Sequence, residues 1–130
     1  MSVIIDGSNG ITTPDVLSNQ DALGYTTGAG GTVTQLTSKA TAVTLNKPTG
    51  QITTAADALA ASAAANFFVN NSFVQATDVV IVTNNKNSNY RVQIVTTSAG
   101  GFTVSLKNES GGSLSEAVTI NFAIIKGATS

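Results

Sequence analysis

The 130-residue chain contains no histidine and no cysteine. Without histidine there is no Ser-His or Cys-His nucleophilic system and no imidazole-ligated metal. Its serines and threonines have no histidine base to activate them. Without cysteine there are no disulfides and no thiolate metal site. Charge is also scarce. Only 10% of residues are charged and the net charge is −1, so no basic patch is present for a phosphate backbone and nucleic-acid binding is disfavoured. No segment reaches the roughly 18 consecutive apolar residues of a membrane span. The opening MSVIIDGSNG lacks the basic and long apolar regions of a secretion signal.

What is present is 42% hydrophobic residues in a background of Thr, Ser, Asn and Gly. Such a mixture suits a β protein with neutral polar outer faces and argues against disorder. The length fits one domain with one hydrophobic core and, at most, an arm. We read residues 1–23 as an extended N-terminal arm and residues 24–130 as a β-sandwich domain.

The domain opens with a glycine cluster, Gly28, Gly30 and Gly31, which reads as a turn that launches a strand. Val33 and Gln35 then alternate with Thr34 and Leu36. Val43 and Leu45 repeat the pattern until Pro48 stops the pairing. Residues 50–53 offer another short strand. The alanine-rich stretch 55–65 reads as a loop with at most one or two helical turns. Phe67 and Val69 face one way in the next strand, and Phe68 the other. The run TDVVIVTN at 77–84 reads as a central strand covered on both faces. Residues 84–89 form the clearest surface loop. The pair 90–96 and 102–107, joined by SAGG, is the strongest hairpin signal. Val118, Ile120, Phe122 and Ile124 make the last inward row.

About eight short strands without interleaved helices predict an all-β protein: an antiparallel two-sheet β-sandwich, jelly-roll-like. The expected core is Val33, Val43, Leu45, Ile52, Phe67, Val69, Val80, Val82, Tyr90, Val92, Ile94, Phe102, Val104, Leu106, Val118, Ile120, Phe122 and Ile124. Val79, Ile81 and Ile125 fall on the opposite faces of their strands, where they are expected to meet another subunit.

Motifs for chemistry are weak. Gly28-Ala29-Gly30-Gly31 lacks the Lys and Ser/Thr of a phosphate loop and leads into a strand rather than a helix. The segment from Asp6 to Gly10 has the look of a calcium loop, but its twelfth position is Leu17 instead of Glu; turn chemistry is the better reading. The carboxylates of Asp57 and Asp78 sit beside turns, and Glu109 and Glu116 flank a polar loop, so a glycosidase-like pair is disfavoured. Two Asn-x-Ser sequons, at Asn70 and Asn108, would carry little meaning if the host were bacterial. No catalytic residue, no metal and no cofactor is expected, and the chain is not read as an enzyme.

The stretch GYTTGAGGTVTQLTSKATAVTLNKPTGQITT at 24–54 resembles a small β-sandwich module of tailed bacteriophages and prophages. The likeness continues through NNSFVQATDVVIV at 70–82 and GGSLSEAVTINFAIIKG at 111–127. In that family the module stands alone as a virion protein, such as a head decoration or cement protein, or forms part of a fibre. The resemblance therefore implies a structural role on the virion, at the outside of the head, after synthesis in the bacterial cytoplasm. The implied partners are the major capsid protein and further copies of the chain, as a dimer or trimer; no nucleic acid and no membrane is implied. The alternative is a tail or head fibre module that binds a host receptor through loops such as 84–89. A short chain starting at its own Met1 fits the first reading as a separate gene product, and the short leader before Gly24 leaves little room for a fibre shaft.

The arm adds a second element. Val3, Ile4 and Ile5 are strand formers, and Asp6, Asp15 and Asp21 are its only charged side chains. These six residues are the expected contacts with the shell, through backbone pairing and through basic partners. Similar IDG-x-NGIT openings begin other phage structural proteins, which supports this by resemblance.

Overall fold

The computed structural model describes residues 4–6, 10–12, 23–25, 27–85 and 87–130. Of the arm contacts, Val3, Asp15 and Asp21 lie outside the described residues. Ile4, Ile5 and Asp6 form β1 (Ile4–Asp6), which pairs antiparallel with β2 (Gly10–Thr12) in the register Ile4 to Thr12, Ile5 to Ile11 and Asp6 to Gly10.

Among the described residues eight strands build the sandwich: β3 (Gly30–Thr34), β4 (Val43–Thr44), β5 (Thr49–Thr53), β6 (Ala64–Asn70), β7 (Val79–Asn84), β8 (Tyr90–Ser98), β9 (Gly101–Asn108) and β10 (Thr119–Ile125). They form two four-stranded sheets, in the orders β3-β5-β10-β7 and β4-β6-β9-β8. The expectation of antiparallel pairing throughout is corrected at two places, since β3 with β5 and β4 with β6 are parallel. The cause is the path of the chain. From β3 to β8 it switches sheets at every connection, so β3 and β5 are separated by two reversals and return in the same direction. The same holds for β4 and β6.

The core lies between the sheets. All eighteen expected core residues are buried or packed against the buried cluster, and each side chain fully buried there contributes roughly 1.5–3 kcal/mol. Phe102 of β9 and Phe122 of β10 meet across the two sheets, with ring centroids 5.4 Å apart and planes tilted by 56°. Val74 and Leu59 join this core from loops. The alanine-rich stretch holds no helix; Leu59 makes an isolated bridge with Leu114 instead. The glycine cluster turns as expected, with Gly28 at φ +95° just before β3.

The strand expected to be central is an edge. Among the described residues β7 pairs with β10 alone, and its Val79 and Ile81 side chains are exposed rather than covered. A run of four apolar β-formers reports strand propensity, but it does not say whether another layer lies over the second face.

Several polar groups are buried to hold loops. Asn108 donates to Leu59 O at 2.9 Å and Gly112 O at 2.8 Å, while its Oδ1 accepts from Ser110 N at 2.8 Å. Asn71 donates to Lys47 O at 2.7 Å and accepts from Phe73 N at 2.9 Å. Among the described residues no helix is long and apolar enough to cross a membrane.

Candidate interaction surface

The outer face of the β3-β5-β10-β7 sheet changes character along β7 and β10. Ile125 is paired with Val79, Ala123 with Ile81, and Asn121 with Thr83. Because side chains alternate across a strand, these six point to one face. Its Asn121–Thr83 end is polar and its Ile125–Val79 end is apolar. Val79, Ile81 and Ile125 are 55%, 48% and 53% exposed. The three residues expected from the sequence to face a partner are thus brought together on one exposed surface.

Leu23 and Tyr25 extend that surface beyond β10. With Ile81, Ala123, Ile125 and Lys126 they line an open groove of about 430 Å³. Tyr25 is fastened there by its hydroxyl, which donates to the carbonyl of Ile124. Neither residue was singled out from the sequence. The only available signal was a large aromatic at the head of the polar stretch 24–32.

The rim of the apolar end is charged but internally balanced. Lys126 Nζ lies 2.7 Å from Asp78 Oδ2 and also donates to Phe73 O. Asp78 further accepts from Gln75 N at 2.8 Å and Gly127 N at 3.1 Å. The Lys126 ammonium, then these backbone N–H groups, hold the Asp78 carboxyl below the usual carboxylate range against the opposing effect of burial. Gly127 is needed for this closure, since a Cβ there would stand 1.8 Å from Thr77 O.

A second cluster sits at residues 35–57. The Lys39 side chain is only 1% exposed. Its ammonium donates to Ala55 O at 2.7 Å and Asp57 O at 2.5 Å, and stands 3.6 Å from Asp57 Oδ1. Gln35 donates to Thr41 O at 2.7 Å and accepts from Ala55 N at 3.3 Å. With its donors spent on the chain's own carbonyls, Lys39 is a clamp between two segments. Near it, Asn87 donates to Glu116 at 3.2 Å. The backbone N–H of Glu116 itself, followed by this amide, lowers the Glu116 pKa. The Tyr90 hydroxyl is buried without a hydrogen-bond partner among the described residues. Burial first, and the nearby Glu116 second, push its pKa up.

The remaining acidic side chain of the sandwich, Glu109, pairs with Arg91 at 2.9 Å and Lys107 at 3.4 Å. Among the described residues no three acidic side chains gather at one point. The apolar face offers exposed apolar area, and the Lys126–Asp78 pair at its rim has its polar groups satisfied within the chain. No family model, no curated protein and no solved structure matches the chain.

Proposed function

We propose that this chain is a structural protein of a tailed-phage particle: a decoration protein that binds the outside of the head shell and stabilises it. The observation that carries the reading is the wording of residues 24–54, 70–82 and 111–127, which resembles the stand-alone virion module. The exposed face of Val79, Ile81 and Ile125, with Leu23 and Tyr25 beside it, supports the reading as a surface suited to protein contact. In this account the major capsid protein is the partner. The arm contributes through backbone pairing of Val3, Ile4 and Ile5, which gives directional hydrogen bonds without a preformed pocket. Asp6, Asp15 and Asp21 meet basic side chains of the shell. In β1 one edge is already taken by β2, so shell pairing uses the other.

The test mixes purified chain with undecorated particles. Full-length chain should bind the head, and binding should weaken with added salt as the aspartates are screened. A chain starting at Gly24 should fold with near-unchanged stability and bind much more weakly. Full-strength binding by the shortened chain removes the arm from the mechanism. Failure of the full chain to bind heads, with label found on tails or fibres, replaces decoration by the fibre reading.

A further inference from the structure

Strands at a sheet edge leave N–H and C=O groups without a ladder partner, and proteins blunt such edges with charge, proline, bulges or short length. Among the described residues the four edges of the sandwich are β3 and β7 in one sheet and β4 and β8 in the other. β4 is two residues long. β8 carries Arg91 and an irregularity between Ile94 and Thr96. β3 begins with two glycines, which give it little to pack. β7 has none of these devices. It reads VVIVTN, is regular along its whole ladder with β10, and contains no charge, glycine or proline.

The direction of its free groups follows from one hydrogen bond. Asn85 N donates to Thr119 O at 2.8 Å, one step beyond the β7–β10 ladder. Bonded pairs recur at every second residue of an antiparallel ladder. Val79, Ile81 and Thr83 therefore exchange bonds with β10, while Val80 and Val82 turn their N–H and C=O groups away from it. Among the described residues no backbone hydrogen bond reaches Val80 or Val82 on that side, where β8 of the other sheet runs alongside without pairing.

We infer that β7 pairs antiparallel with β7 of a second copy, about a two-fold axis at Ile81. In this register Val80 faces Val82 of the second copy, so both free N–H and both free C=O groups of each strand are used. Two four-stranded sheets become one continuous sheet. The two Ile81 side chains meet at the axis on the apolar outer face, and each Val79 lies opposite Thr83 of the second copy. A two-fold contact sets like against like, so a charged β7 would repel itself. No residue from 79 to 84 is charged, and Asp78, which falls opposite Asn84 of the second copy, is already neutralised by Lys126. The register is self-complementary in hydrogen bonds, charge and apolar contact at once. It does not depend on the particle to which the protein binds.

The absence of native cysteine makes the test direct. At a non-hydrogen-bonded antiparallel pair the Cα atoms stand about 4.5 Å apart, within disulfide range. Under mild oxidation the Ile81→Cys variant should become a covalent dimer about tenfold faster than Val79→Cys or the distant, equally exposed Val95→Cys, because only the axial residue meets its own copy. A mixture of Val79→Cys and Thr83→Cys should cross-link to a mixed dimer. In sedimentation Ile81→Lys should run as a folded monomer and Ile81→Val as a dimer. The proposal is overturned if the unmodified chain is monomeric at every concentration tested. It is equally overturned if an oligomer persists in Ile81→Lys and cross-linking is no faster at 81 than at 95. The edge would then belong to another occupant, such as a strand of the arm.

Discussion

The Tyr25 hydroxyl donates to the Ile124 carbonyl, an acceptor that Pro48 cannot serve. Ile124 N donates to Pro48 O at 2.9 Å, which is half of an antiparallel exchange. Proline has no N–H to complete the other half, and the tyrosine supplies it from outside the sheet. Tyr25→Phe keeps the ring and removes this bond, so unfolding in urea should show a loss of about 0.5–1.5 kcal/mol. The loss should shrink in a Pro48→Ala background, where a backbone donor returns. An equal loss in both backgrounds would separate Tyr25 from the missing rung.

The cross-sheet contact of Phe102 with Phe122 predicts a clear contrast within β10. Phe122 is buried against the other sheet, and Phe122→Ala should cost about 3–5 kcal/mol. Thr119 lies on the other face of the strand, so Thr119→Ala should change the thermal midpoint little. Equal shifts would contradict the register of the last strand.

Lys39 should behave as a structural residue. Lys39→Met keeps most of the volume but strips the carbonyls of Ala55 and Asp57 of their donor, and should lower stability by about 1.5–3 kcal/mol. Lys39→Arg should also be destabilising, because a planar guanidinium cannot replace a compact ammonium in so closed a site. Chemical denaturation of both variants gives the answer, and a neutral Lys39→Met would mean that the clamp contributes nothing.

Acid should weaken the C-terminal closure in a defined window. Asp78 has its pKa lowered in the folded chain, chiefly by Lys126. It therefore binds protons more readily when unfolded. Its contribution is complete above the unfolded carboxyl value of about 3.9 and is lost as pH falls through that range toward the lower folded value. Melting temperatures taken between neutral pH and pH 3 should fall less steeply in Asp78→Asn than in the unmodified chain. Identical slopes would assign acid sensitivity to other carboxylates.

The hairpin of β8 and β9 and the inward row of β10 were legible because one face is dry and the other wet, which writes a period of two into the residues. The apolar patch was legible for a related reason, since Val79, Ile81 and Ile125 exceed what one core needs. Strand direction left no such mark. The parallel pairs β3–β5 and β4–β6 arise from the chain crossing between sheets, and alternation reads the same in either direction. Lys39, Asn71 and Asn108 look like loop residues and are buried because carbonyls distant in sequence converge on them. Val74 gave no pattern within its turn-rich segment, and the edge position of β7 depends on which strands lie beside it.

The order of synthesis and the order of the sheet run against each other. β10, nearest the C-terminus, lies between β5 and β7. Until the ribosome has released the final strand, β5 and β7 have no common neighbour. Phe102 and its sheet wait with an uncovered inner face. A nascent chain can form the β8–β9 hairpin early, but the sandwich closes only at the end. A stalled or clipped product lacking β10 loses the middle of a sheet, so the two halves become one structure only when that strand is in place.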